Sequence, residues 1–245
     1  MGEVMVKTAE RAAPGRTTED RVVVLPNAVV LLDGVTSRRP PDRNGGWYAT
    51  RLGAELATLL PDGGDLADLL ATAIKHVATN HDLVPGDSPA STVAIARWDD
   101  DTLDALVLAD SPIVAFSHDT TVIADTRLAK LRPLGGTVTD WKNRPGGYWV
   151  AEADPEAAHQ AVQTSLPRAG LTNVIMATDG VSCGVDDYKI FPNWHAVLDL
   201  ATTNGPDAVL DEVRAAELSD PDRTRWPRHK THDDQALALI SFPIT

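Results

Sequence analysis

One cysteine, Cys183, occurs in 245 residues, so no disulfide can form within the chain, and nothing in the sequence calls for an oxidising compartment. Nor does Cys183 look like a nucleophile. A thiolate that attacks anionic esters needs an Arg in its loop, and Val181 to Lys189 (VSCGVDDYK) supplies two acids and no Arg. Basic residues are also scarce, with 22 Lys and Arg against 35 Asp and Glu and a formal net charge of -13. That balance argues against nucleic acid, whose backbone is bound by neutralising it. Long apolar runs are missing: none approaches the roughly 20 residues of a membrane helix. Met1 to Arg16 carries charges where a signal peptide would be apolar, and Val6 stands where a myristoylation signal needs Ser or Thr. The expectation is a cytoplasmic protein with no membrane partner. No Gly/Ser linker or change in composition divides the chain, which predicts one domain over 1–245. Aromatic residues are only 5% of the chain, and the six Trp are scattered singly, as core or loop residues are.

What the sequence does contain is short apolar runs rich in Val, Ile and Leu. They lie at Val22 to Leu25, Ala28 to Leu32, Thr92 to Trp98, Ala105 to Ala109, Ile113 to Phe116, Thr121 to Ala124, Asn173 to Thr178 and Gln235 to Phe242. Their length and bounding turn residues predict strands. Tight polar links at Pro26-Asn27, Asp99 to Thr102 and His118-Asp119 predict hairpins, hence antiparallel sheets and not a repeating strand-helix-strand pattern. Helical spacing of apolar residues marks Trp47 to Leu60 and Leu66 to Asn80, with Asp65 placed to cap the second. Asp154-Pro155 predicts a helix over Glu156 to Ser165, and Pro206 opens another to Leu218. The layout is an α+β layered sandwich. Arg38 to Gly46, Arg132 to Gly147 and Ser219 to His232 read as loops. The last gathers Arg223, Arg225, Arg228, His229 and Lys230, a possible landing area for an anionic partner or simply a solvated loop.

Acids recur where strands end. Ala28 to Gly34 (AVVLLDG) and Asn173 to Gly180 (NVIMATDG) both run into Asp-Gly, at Asp33 and Asp179, and the glycine suits a sharp turn. Ala105 to Ser111 (ALVLADS) ends at Asp110, and His232 to Ile240 (HDDQALALI) begins a strand just after Asp233. Carboxylates crowded at one rim raise one another's pKa values unless a cation lies between them. Oxygen donors without Cys or His select hard ions, so Mg²⁺ or Mn²⁺ fits better than Zn²⁺. His229 and His232 beside Asp233 leave a zinc alternative open.

In order along the chain stand Arg16, Glu19-Asp20, Asp33-Gly34, Ser91-Thr92, Ala109-Asp110-Ser111, Thr178-Asp179-Gly180 and Asp233-Asp234. Together they resemble the ordered motifs of the type 2C protein phosphatase family, over nearly the whole length. The resemblance implies a layered α-β-β-α sandwich of two mainly antiparallel sheets flanked by helices. It also implies a binuclear Mn²⁺ or Mg²⁺ centre, with a third ion in addition. Asp33 would bridge two ions, the Gly34 carbonyl would bind one, and Asp179 and Asp233 would complete the other. Glu19 and Asp20 would bind or orient metal-held waters, Asp110 would serve the third ion with Asp179, and Arg16 would clamp phosphate. The implied substrate is phosphoserine or phosphothreonine in a protein, hydrolysed by water held between ions roughly 3.5 to 4 Å apart.

The sequence departs from the family at three points. Val35, Thr36 and Ser37 follow Gly34 where further glycine is usual. Val35 occupies a position at which some members carry a His general acid. The Arg16 to Glu19 spacing is one residue short, which brings in Arg11, Arg38 and Arg39 as substitutes. Two other readings stand beside the enzyme: a phosphatase fold kept as a regulatory or binding module, and a metal phosphoesterase acting on a small molecule.

Overall fold

The computed structural model describes residues 3–36, 40–131 and 138–243. Along them run β1 (Met5–Arg11), β2 (Asp20–Leu25), β3 (Ala28–Asp33), α1 (Gly45–Leu59), α2 (Leu66–Asn80), β4 (Val93–Trp98), β5 (Thr102–Leu108), β6 (Ile113–Phe116) and β7 (Thr120–Ile123). Then follow α3 (Arg127–Leu131), β8 (Val162–Pro167), β9 (Asn173–Ala177), α4 (Asp179–Asp186), α5 (Trp194–Asn204), α6 (Pro206–Ser219) and β10 (Gln235–Ser241). The strands form two five-stranded sheets, ordered β1-β10-β9-β6-β7 and β2-β3-β4-β5-β8. Every strand pairing is antiparallel.

The alternation of side chains along a strand explains why the sequence reads as continuous apolar runs instead of every second residue. Val29 and Leu31 of β3 pack with Ala94 and Ala96 of β4 and with Ala236, Ala238 and Met176 of the other sheet, which makes the layer between the sheets. Their neighbours Val30 and Leu32 face the other way, onto Leu52 and Leu56 of α1 and Leu70 and Ile74 of α2. The second sheet repeats the scheme, with Val114, Ile175, Leu237 and Leu239 beneath Val181, Val197, Leu210 and Val213 of α4, α5 and α6. Leu31 and Leu32 are both fully buried, so each stabilises the fold by about 2–3 kcal/mol, and a polar replacement on either face would open one layer.

Caps and turns follow from local chemistry. The Asp65 carboxylate accepts the N–H groups of Ala67 and Asp68 at the start of α2, and the Asn44 side chain accepts that of Trp47 in α1. Asp99 accepts the N–H groups of Asp101 and Thr102 and so closes the β4–β5 hairpin.

Helices α3, α4 and α5 form where no helix range was expected, and two segments differ in kind from the sequence expectation. The helix expected over Glu156 to Ser165 is a 3₁₀ turn, Pro155–Gln160, that gives way to strand β8. Asp154 caps the turn, but Val162, Thr164 and Leu166 suit an edge strand, and β8 pairs with β5 along its whole length. Strand β1 was not expected, because its residues MVKTAER are mostly polar. Only Ala9 of β1 is buried, and the strand is held at the sheet edge by its ladder with β10.

Candidate metal centre

Asp20 and Asp33 stand directly opposite each other in the β2–β3 ladder. By alternation both share the face of Val29 and Leu31, so they lie at the rim of the layer between the sheets. Like charges paired across strands destabilise a sheet. Thr178 Oγ1 donates to Asp20 Oδ2 at 2.9 Å, while Asp20 Oδ1 is buried with no hydrogen-bond partner. The β9–β10 ladder brings in the other sheet. Asp179 is the first residue of α4, immediately after Thr178, where the positive helix end favours a carboxylate. Asp233 lies in the segment that enters β10, and Asp110 follows the end of β5.

The proximity of these groups is felt in their acidity. Burial raises the Asp33 carboxyl well above the usual range, and the charges of Asp20, Asp179, Asp233 and Asp110 add to the effect. Asp20 is raised by burial and by Asp179, Asp234 and Asp233, against the lowering by its Thr178 hydrogen bond. Asp179 is pushed up to about 7 by burial, then by Asp110 and Asp233, with Lys230 opposing. Five carboxylates from both sheets therefore share one field.

The donor chemistry, carboxylates and a backbone carbonyl with a buried orphan oxygen on Asp20, fits a hard divalent ion. Among the described residues, no three Asp, Glu, His or Cys side chains close around one point as a finished shell. Asp233 is turned to Lys230, whose Nζ lies 2.6 Å from its Oδ1. Burial works against the Lys230 charge, but Asp233, and then Asp33 and Asp179, hold the ammonium above its ordinary pKa. Sequence reading grouped Lys230 with the basic loop. Its signal is the three-residue spacing to Asp233.

The surrounding motifs hold backbone in place. Thr92 Oγ1 accepts the Asp33 N–H at 3.1 Å and lies 2.7 Å from Ser111 Oγ. The Asp33 carbonyl accepts the Thr92 N–H, and Ser91 Oγ lies within 3.0 Å of the same carbonyl. Gly34 and Gly180 do not take a left-handed turn; their lack of a side chain admits another backbone. A Cβ on Gly34 would overlap Gly45, and one on Gly180 would overlap the Asp234 carbonyl. Asp234 accepts the N–H groups of Ala13 and Glu19, each at 2.7 Å, and so pins the β1–β2 connection to the rim. Its role in positioning was not seen in the sequence.

The remaining expected residues are distributed unevenly. The Glu19 carboxylate is buried and already engaged, by Thr36 Oγ1 at 2.8 Å and Arg16 Nη2 at 3.3 Å. Arg16 is otherwise exposed beside it. Arg11 pairs with Asp211 at 2.6 Å, and Arg38 and Arg39 lie outside the described residues. The cationic loop mostly holds itself together. Arg228 reaches Asp220 and the carbonyls of Glu217, Asp220, Trp226 and Thr231, and Arg223 reaches those of Arg228 and His229. His232 is 3.1 Å from Glu217, and among the described residues His229 and His232 form no metal-ligand group with Asp233. Burial, followed by Asp179 and Glu217, raises the Cys183 thiol, which removes it further from nucleophilic chemistry.

No family model matches the sequence, and no curated protein does. Solved structures do match in shape. Serine/threonine phosphatase Stp1 from Staphylococcus aureus superposes with a TM-score of 0.64 at 14% identity, covering 99% of this chain and 96% of that one. The Mycobacterium tuberculosis serine/threonine phosphatase PstP/Ppp gives 0.63 at 17%, covering 98% of each. The catalytic domain of PstP, in complex with two manganese ions, gives 0.62 at 18%, covering 97% of each. The two packed sheets, their flanking helices and this full-length correspondence are those of the type 2C phosphatase fold.

Proposed function

We propose that the protein is a metal-dependent phosphomonoester hydrolase acting on phosphoserine and phosphothreonine in proteins, with 1–245 as one catalytic unit. The observation that carries this reading is the crowding of Asp20, Asp33, Asp110, Asp179 and Asp233 at one rim between the sheets, which a bound cation relieves without protonating them. Two divalent ions, Mn²⁺ or Mg²⁺, would supply an activated water and neutralise charge on the phosphoryl oxygens.

Asp33, Asp179, Asp233 and the Gly34 carbonyl would hold these ions, with Asp20 offering its unpaired Oδ1. Asp110 would serve a third ion with Asp179. Glu19 would orient water and keep the Arg16 guanidinium at the rim, where it would clamp the phosphate. Thr92, Ser91 and Asp234 fix the backbone that carries these groups, which limits reorganisation when charge develops. Val35 stands in place of a His and carries no acid, so protonation of the leaving group would fall to a metal-held water or another group. The manganese complex of PstP supports the choice of ion, and the phosphatase identity of the structural neighbours supports the reaction.

A second reading, a phosphatase fold kept as a binding module, is favoured by one observation: Lys230 already neutralises Asp233. Phosphate release from a phosphothreonine peptide and from a chromogenic phosphate ester, with and without Mn²⁺, separates the readings. The proposal expects Mn²⁺-dependent turnover of both. Turnover of the ester alone would indicate a small-molecule phosphoesterase. No turnover of either would leave the binding module.

A further inference from the structure

Lys230 brings to the carboxylate rim a positive charge, as a metal ion would. Its Nζ lies 2.6 Å from Asp233 Oδ1, and Asp33 and Asp179 are the next charges that act on it. The same Oδ1 also accepts the Asp234 N–H at 2.9 Å, so both contacts fall on one oxygen of the carboxylate. Yet the ammonium is not sealed in. The Lys230 side chain is 38% exposed and ends a flexible four-carbon stem, so it has a route to solvent that leaves the backbone unchanged. The loop that carries it is anchored independently. Asp220 accepts the N–H groups of Thr224, Arg225 and Trp226 together with the Arg228 guanidinium, so release of the lysine does not release the loop.

We propose that Lys230 is an internal competitor for the metal centre: its ammonium occupies Asp233 Oδ1 in the metal-free protein and must swing away before that oxygen can ligate an ion. This rests on the metal-dependent reading above and adds a regulated step to it, since occupancy is set by a contest between the tethered ammonium and free divalent cation. A tethered cation has a fixed local concentration, so the contest raises the Mn²⁺ concentration needed for occupancy without preventing it. Lys230 is a positioning residue here, acting through Asp233.

Titration calorimetry of Mn²⁺ into metal-free wild type, Lys230→Met, Lys230→Arg and Asp179→Asn tests this, with thermal unfolding of each as a second readout. Lys230→Met should bind Mn²⁺ about tenfold more tightly, the scale of one lost charge-assisted contact, and show a larger Mn²⁺-induced rise in Tm. Lys230→Arg, which keeps the competing cation, should stay near wild type. If wild type binds Mn²⁺ and Lys230→Met binds equally or more weakly, the competitor role is wrong while the metal centre stands. If neither wild type nor Lys230→Met binds, and Asp179→Asn behaves like both, the metal-dependent reading fails and the competitor role with it.

Discussion

Ala109 sits at a φ of +71°, in the left-handed region that favours glycine, just before Asp110. A methyl there costs about 1–2 kcal/mol in strain. Its burial returns about 0.8 kcal/mol, and removing it would free the unfolded chain by a further 0.5–1 kcal/mol or so. The terms nearly cancel, so Ala109→Gly should change stability by less than about 1 kcal/mol, whereas Ala109→Val should lose ~2 kcal/mol or more in urea unfolding. Thr92→Val leaves the Asp33 N–H and the Ser111 hydroxyl without their partner and should cost about 1–3 kcal/mol by the same measurement. Asp179→Asn should lower Mn²⁺-dependent hydrolysis by more than about a hundredfold, beyond the loss typical of outer-shell partners of a metal, while circular dichroism stays unchanged. The motif residues were legible individually because each is a short polar interruption of an apolar run. Their division of labour was not, since only the fold shows that Asp234 holds backbone while Asp233 faces the shared field.

At the level of elements, the glycines after Asp33 and Asp179 join parts of the structure that are remote in sequence. Gly34 at the end of β3 lies on Gly45 at the start of α1, and Gly180 in α4 lies on the segment entering β10. Gly180→Ala should therefore destabilise the protein by ~3 kcal/mol or more, as overpacking against fixed backbone does, even though α4 is a helix in which Ala is intrinsically preferred. A chemical unfolding curve decides the sign. Most strands and the α1, α2 and α6 helices were readable because burial on both faces of the sheets leaves continuous runs, and because Asp65 and Pro206 mark helix starts. Among the strands, the ones misread, β1 and β8, both lie at sheet edges. β1 and β8 bury little of their surface, so their sequences carry little pattern, and ladder hydrogen bonds that any residue can make hold them.

For the whole molecule, a net charge of -13 and a rim of mutually raised carboxylates give metal-free stability a defined pH dependence. The Asp179 carboxyl titrates near 7 in the folded protein and about 3.9 when unfolded, so the native state binds more protons between those values. Stability from this group is fully present below about pH 4 and is lost as pH rises through 7. Metal-free protein should thus lose Tm between pH 5 and 7.5 by a margin that shrinks in Asp179→Asn, and Mn²⁺ should restore the loss at the higher pH. Among the described residues no helix is long and apolar enough to cross a membrane. The two-sheet architecture matters to function because the rim carboxylates come from both sheets, so the site exists only when the sheets are packed together. The central claim is that this rim is a binuclear metal centre, and anomalous diffraction at the manganese edge from Mn²⁺-soaked crystals tests it most directly. Two peaks bounded by Asp20, Asp33, the Gly34 carbonyl, Asp179 and Asp233 are expected, with Lys230 moved off Asp233; a rim without peaks, or a peak held instead by His229 and His232, would contradict it.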